Sequence, residues 1–321
     1  MDKKKLKIAF LCRDVGRVHR GVETYVLELS KRLKKDHDVE VLSGSDAYSL
    51  SNIISGKYDL VIPTNGRTQA LKASLGRFIG GGYKMIISGQ SGIGRDDIWN
   101  IFITMPDVYV AITELEKNWA KNFALLTKVT EIPNGVDLEK FSPKGERINL
   151  DMSQPVILSV GALTWYKHHE RSIQALKNLN QGSLLIMGAG PEKEKLENLA
   201  RSLGVEERVK ILQVPFEEIP AYYRSADLFV LPSWDRESFG IVYLEAMASG
   251  LPVVAPDDLS RKEIVGNGGI LVDVGDIEKY TQAIKEALDK KWGDLPRKQA
   301  EKFSWDNVAD QYNKLIGEMF P

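Results

Sequence analysis

Residues 227–257 read DLFVLPSWDRESFGIVYLEAMASGLPVVAPD, and two carboxylates in that stretch, Glu237 and Glu245, are spaced to grip one elongated ligand. The apolar run Leu228–Leu231 predicts a strand, Glu237 falls in the polar turn after it, and Glu245 lies inside a helix that Gly250 ends. Pro252–Ala255 predicts the next strand. The helix begins between the two acids. Its first backbone N–H groups have no intrahelical acceptor, so its start favours an anion. Carboxylates on either side of such a start suit a ligand with hydroxyls at both ends and phosphates in the middle, which describes a nucleotide-sugar. The bland alternative makes Glu237 a solvated turn residue and Glu245 a surface residue. Against it, Glu245 stands among Ile241, Val242, Leu244, Ala246 and Met247, and a helix this apolar leaves little solvent face, so the acid needs a partner.

The rest of the chain alternates strands and helices. Leu6–Leu11, Val39–Leu42, Asp59–Pro63, Lys84–Ser88, Val108–Ile112 and Val129–Ile132 predict strands in the first half; Val156–Val160, Ser183–Met187 and Arg208–Leu212 do so in the second. Val22, Tyr25, Val26, Leu29 and Leu33 recur at helical spacing over residues 22–34. Thr113 and Glu116 predict a capping box opening a helix that runs to Phe123. A polar, poorly patterned segment over 142–154 reads as a linker. Such alternation predicts an α/β protein with parallel sheets covered by helices on both faces. The expected organisation is two Rossmann-like domains. The first spans 1–148, with a final helix over 304–321 packing back on it, and the second spans 149–303. Ligands in such folds bind at the carboxyl ends of the strands, and the cleft between the domains is the default site.

At 321 residues, 43% hydrophobic and 27% charged, the chain has the composition of a globular protein of about two domains. Its single cysteine, Cys12, excludes an internal disulfide and reads as a small buried hydrophobe in a reducing compartment. No apolar run approaches the roughly 18 residues of a membrane span. MDKKKLKIAFLC is too short for a convincing signal peptide, so the expected location is cytoplasmic. Residues 1–150 carry 23 lysines and arginines against 18 acids, and the remainder carries 20 against 26. The basic half could face an acidic acceptor or touch the inner membrane face peripherally; scattered solvated charge explains it equally well. No feature suggests nucleic-acid binding.

Pro232-Ser233, Glu237-Ser238-Phe239-Gly240 and Glu245-Ala246-Met247-Ala248, with Gly250 and Pro252-Val253-Val254, resemble the signature of retaining GT-B glycosyltransferases of the family-4 type. The resemblance covers most of the chain. Gly161 and Lys167 match the segment that supplies diphosphate-binding cations; Ile132-Pro133-Asn134-Gly135-Val136-Asp137 with Phe141 and Pro143 matches the interdomain entry; Arg20-Gly21-Val22-Glu23 resembles the first glycine-rich turn. Gly188-Ala189-Gly190-Pro191 and Phe303-Ser304-Trp305 are also similar to family segments.

The resemblance implies a GT-B fold whose two sheets face each other across a cleft, and a hexosyltransferase. It implies transfer from a UDP- or GDP-sugar, with retention, to a glycan, glycolipid or small-molecule hydroxyl, in glycan, glycolipid or polysaccharide synthesis. Glu237 would contact the donor sugar and Glu245 the ribose. The backbone at Ser238, Phe239, Gly240 and Ile241, with Lys167, would bind the diphosphate, Gly161 would belong to the donor site, and Gly21 would let the donor phosphate and the acceptor come close to backbone. Lys167 and Glu237 are the implied catalytic residues.

Two departures matter. Ala162 stands where many members have Arg, leaving one cation to be replaced in part by His168 or His169, although a His in such a loop is more often simply exposed. Gly89-Gln90-Ser91-Gly92 stands where many have a His; Gln90 or Ser91 could hydrogen-bond the donor sugar, but neither is a good base. A front-face mechanism, in which the departing phosphate takes the acceptor proton, tolerates that loss. These departures keep open a nucleotide-sugar-binding scaffold without turnover; a GT-B epimerase is a further alternative. No metal or cofactor is expected. Asp36-His37-Asp38 has the form of a metal-binding D-x-D but sits where the family has a turn, and the histidines and Cys12 show no zinc spacing. Trp99, Trp119 and Trp165 read as core or lid aromatics.

Overall fold

A computed structural model describes residues 5–17, 21–64, 66–233 and 237–321. Arg20, the first residue of the glycine-rich turn read from the sequence, lies outside these. The chain forms two compact units, Met1–Gly135 with Trp305–Pro321, and Val136–Ser304.

The first unit contains β1 (Lys7–Leu11), β2 (Asp38–Leu42), β3 (Leu60–Pro63), β4 (Lys84–Ser88), β5 (Val108–Ala111) and β6 (Lys128–Glu131). They form one parallel sheet in the order β2-β1-β3-β4-β5-β6. β3 and β5 are buried at every position, which is why they read as unbroken apolar runs rather than alternating ones. Cys12 follows β1 and is fully buried. The helix Gly21–Leu33 turns Tyr25, Val26, Leu29 and Leu33 inward. The closing helix Trp305–Met319 packs there too: Tyr25 and Tyr312 share a hydroxyl hydrogen bond of 2.9 Å, and Arg32 pairs with Asp306 at 2.8 Å. Trp119 packs partly buried against the core beside Phe123, with ring centroids 5.2 Å apart.

Half of the expected capping box forms. Thr113 accepts from the Glu116 N–H and starts the helix Glu114–Ala120. The Glu116 side chain does not return to the Thr113 N–H. It accepts from Ile112 N at 2.9 Å and from the Tyr109 hydroxyl, so it stitches the helix to β5 instead.

The second unit contains β7 (Val156–Val160), β8 (Ser183–Met187), β9 (Val209–Leu212), β10 (Leu228–Val230), β11 (Val253–Pro256) and β12 (Gly269–Val272), again parallel, in the order β12-β11-β10-β7-β8-β9. The sequence reading missed β12, which is half-buried throughout and enters straight from a glycine-rich turn at Gly266–Gly268. The polar segment read as a linker, and the expected junction at 148, both fall inside this unit. Its backbone is pinned there by side chains: Arg224 donates to the Glu146 carbonyl at 2.7 Å, and Ser225 accepts from Ile148 N at 2.8 Å.

Candidate active site

In the second unit the strand order reverses between β7 and β10, with β8 and β9 on one side and β11 and β12 on the other. Loops leaving the carboxyl ends of two such strands diverge and open a crevice, the usual ligand site of doubly wound sheets. The loop after β7 carries Gly161 to Lys167, and the loop after β10 carries Ser233 and Glu237. Because Ile157 pairs with Leu228 and Leu158 with Phe229, both loops end up at the same place. Two side chains 70 positions apart therefore meet, and Lys167 Nζ donates to Glu237 Oε2 in an ion pair. Their side chains are only 17% and 12% exposed, so the pair is largely withdrawn from water yet still reachable. Ser233 Oγ donates to the Tyr166 carbonyl at 2.9 Å and ties the two loops together.

The helix Ile241–Ala248 starts immediately after this pair. Gly240 before it has φ +86°, and a Cβ there would lie 2.6 Å from the Tyr243 ring, so the entry turn requires glycine. The Phe239 side chain is buried, edge-on to Phe303 at 6.3 Å, which leaves only its backbone available to a ligand. Ser238 and Ile241 are half-buried.

Glu245 is 6% exposed and has the partner its surroundings demand: the Tyr223 hydroxyl donates to Oε2 at 3.0 Å. Burial raises its pKa from 4.5 to about 7, while the Tyr223 bond and the Lys140 charge pull it down in part. The sequence called for a partner but could not say which, because Tyr223 comes from the helix Ile219–Ser225. A folded-state pKa above the unfolded one means that the folded chain holds the extra proton between about 4.5 and 7. Glu245 thus supports the fold below that window and weakens it as pH rises through about 7. Glu245→Gln should remove this share of the pH slope, at most about 3 kcal/mol between pH 4.5 and 8. Denaturant unfolding of both proteins at pH 5 and pH 8 checks it, and equal slopes would refute it.

The two candidate histidines differ in their surroundings. His169 is 1% exposed, its Nδ1 contacts Ser159 Oγ at 3.1 Å, and its Nε2 has no partner among the described residues. Burial, reinforced by Lys167, pushes its pKa down to about 4, so it is neutral. His168 pairs with Glu170 at 3.0 Å. A Cβ at Gly161 would meet nothing nearer than His169 Nε2 at 3.7 Å, an ordinary contact, whereas a Cβ at Gly188 would lie 1.9 Å from the Gly161 carbonyl oxygen. The close approach belongs to Gly188, so the loops after β7 and β8 touch through backbone. Trp165 is 52% exposed beside Lys167.

In the first unit Gly21 opens the helix Gly21–Leu33 and is exposed. Gln90 exchanges two 3.0 Å hydrogen bonds with Asn134 and donates to Ser88 Oγ, so its amide is already committed; Ser91 is exposed. In the D-x-D tripeptide, Asp36 accepts from Asn313 at 2.8 Å and His37 is buried with its Nδ1 3.5 Å from Leu6 N. Among the described residues no group of three or more His, Cys, Asp or Glu could hold a metal ion, and no helix is long and apolar enough to cross a membrane.

The model of the glycosyl transferases group 1 family matches residues 142–304, just over half of the chain and nearly all of the unit that holds the ion pair. A GDP-mannose-dependent alpha-(1-6)-phosphatidylinositol monomannoside mannosyltransferase of Mycolicibacterium smegmatis is 35% identical over 291 residues, covering 83% of this chain and 72% of that protein. A D-inositol 3-phosphate glycosyltransferase of Corynebacterium urealyticum is 32% identical over 243 residues, covering 67% of this chain and 56% of that protein. Among solved structures, sucrose-phosphate synthase from Thermosynechococcus elongatus aligns over 98% of this chain and 99% of its own, with TM-score 0.83 at 19% identity. Anabaena HepE in complex with UDP and glucose aligns over 98% and 100%, with TM-score 0.79 at 20% identity. The two parallel six-stranded sheets and their helices are those of the GT-B glycosyltransferase fold. The chain belongs to the group 1 glycosyl transferases.

Proposed function

We propose that the chain transfers a hexose, with retention, from a UDP- or GDP-sugar to an acceptor hydroxyl in glycan, glycolipid or polysaccharide synthesis. The observation that carries this reading is the Lys167–Glu237 ion pair at the strand-order reversal, beside the start of the helix Ile241–Ala248. A cation and a helix start together match a pyrophosphate, and an acid beside them matches the hydroxyls of the sugar it carries. A relative is GDP-mannose-dependent and HepE was solved in complex with UDP, which supports a nucleotide-sugar donor without choosing its base.

In this reading Lys167 and the amides of Ser238 to Ile241 hold the diphosphate. Glu237 accepts from the sugar hydroxyls, and Glu245, presented beside Tyr223, accepts from the ribose. The bond from the anomeric carbon to the β-phosphate oxygen breaks, the acceptor oxygen bonds to that carbon on the same face, and the acceptor proton passes to the departing phosphate. Charge building on the leaving oxygen is the main obstacle, and Lys167 with the helix amides offsets it without a metal.

A thermal-shift panel of UDP-, GDP- and ADP-sugars tests the donor assignment. One UDP- or GDP-sugar at a hundred times its Kd should stabilise the protein by about 2.7 kcal/mol, seen as a raised Tm. No shift with any of the three classes would defeat the reading. Binding without release of nucleoside diphosphate across many acceptors would favour a scaffold, and an isomerised donor would favour an epimerase.

A further inference from the structure

Arg261 was not singled out by any motif, yet it holds the turn that carries Glu237. It lies in the helix Leu259–Val265 after β11 and is 3% exposed. Its Nη2 donates to two backbone carbonyls, Glu237 O at 2.9 Å and Ser233 O at 3.2 Å. Nη1 reaches Asp258 Oδ1 at 3.4 Å, and Nε has no partner among the described residues. Asp258 is already engaged, since the same Oδ1 caps the helix by accepting from Arg261 N at 2.9 Å. Among the described residues this buried guanidinium has one long carboxylate contact and two backbone carbonyls, and burying such a charge is costly compared with a hydrophobic residue of similar volume. Its presence therefore calls for a reason in the turn it binds.

Peptide geometry supplies that reason. The Glu237 carbonyl and the Ser238 N–H belong to one planar trans unit and point in opposite directions. Arg261 draws the carbonyl oxygen toward the buried guanidinium, so the Ser238 N–H is aimed the other way, out of the packed side of the turn. A cation on the oxygen also polarises the peptide and makes its N–H a stronger donor. Among the described residues two positions that could bring charge to this site do not: position 162 is alanine and His169 is neutral.

We propose that Arg261 is the positioning residue of the diphosphate site, fixing and polarising the Glu237–Ser238 peptide so that the Ser238 N–H is preset to donate to a pyrophosphate oxygen. It touches no substrate and delivers its charge through the backbone. The proposal rests on the nucleotide-sugar reading above, and names a residue that this reading does not require.

The test compares wild type, Arg261→Met and Arg261→Lys by titration with UDP and GDP and with their nucleosides, uridine and guanosine. Arg261→Met should bind the preferred diphosphate about tenfold more weakly, the loss of one charge-assisted hydrogen bond, while nucleoside affinity stays within about twofold. Arg261→Lys, which keeps the charge without the fork, should fall between the two. Equal loss for nucleoside and diphosphate would make Arg261 merely structural and overturn the proposal, as would unchanged diphosphate affinity in both variants. If Arg261→Met does not fold, Arg261→Lys decides alone: a selective loss for the diphosphate supports the role, and wild-type affinity or an equal loss removes it. A wild-type chain that binds neither diphosphate would overturn the donor reading and this proposal with it; a wild type that binds, with variants that match it, overturns only the role of Arg261.

Discussion

Lys167→Ala should slow sugar transfer by about a hundredfold to a thousandfold, the usual consequence of deleting one preorganised group facing a developing negative charge. Lys167 ends the short turn Trp165–Lys167 after β7, and its neighbour His168 adopts a left-handed φ of 54° that starts the next helix. The stem is therefore held, and only 17% of the side chain is exposed, so its charge is weakly screened. That charge is paired with Glu237. A diphosphate brings more negative charge than one carboxylate, and the leaving oxygen gains more as the glycosidic bond breaks, so the interaction is strongest in the transition state. Turnover should thus fall further than affinity for UDP or GDP.

The variant also strands the Glu237 carboxylate, so a loss of stability of about 1–3 kcal/mol should accompany it. Lys167→Arg keeps the ion pair and should restore stability while recovering only part of the rate, because the guanidinium fork differs in shape. Initial rates with saturating donor, diphosphate titrations and unfolding curves separate the three effects. Wild-type diphosphate affinity and wild-type kcat in Lys167→Ala would remove Lys167 from the chemistry.

The parts of this arrangement that sequence could reveal are those fixed locally. The strand–turn–helix over Leu228–Ala248 is written in adjacent residues: an apolar run, a polar turn, a glycine that must adopt φ +86°, and a helix whose buried acid announces a missing partner. The continuous apolar strands followed for the same reason, since parallel sheets bury both faces. What stayed hidden depends on crossovers. Tyr223 and Arg261 reach Glu245 and the Glu237 carbonyl from separate helices, and nothing in their own neighbourhoods marks them.

The junction at 148 was misplaced for a related reason. Residues 142–154 are polar and lack periodicity, the usual signs of a linker, but side chains of the second unit bind their backbone, as Arg224 does at the Glu146 carbonyl and Ser225 at the Ile148 N–H. Hydrophobic patterning cannot register order that comes from hydrogen bonds of this kind. Glu116 shows the same limit at one residue: its spacing from Thr113 announced a helix start correctly, but its side chain answers to Tyr109 and Ile112.

Glu237→Gln should separate binding from turnover. Lys167 and Glu237 pair with each other, so a diphosphate must compete with a carboxylate for the ammonium. Glutamine has almost the same shape but no charge. The variant frees Lys167 for phosphate, and affinity for UDP or GDP should rise by about threefold to tenfold, in keeping with an ion pair that is mostly, though not fully, withdrawn from water. Turnover should move the other way. A carboxylate accepting from a sugar hydroxyl contributes about 1.5–3 kcal/mol, so kcat should fall by about tenfold to a hundredfold when the acceptor becomes a neutral amide. Tighter product binding would slow release as well, and single-turnover measurements distinguish that from a slower chemical step. Opposite changes in diphosphate Kd and single-turnover rate are the signature of an acid that restrains the cation at rest and engages the sugar when the donor is bound. If both instead fall in proportion, Glu237 serves only to hold Lys167 in place, and its proposed contact with the sugar is wrong.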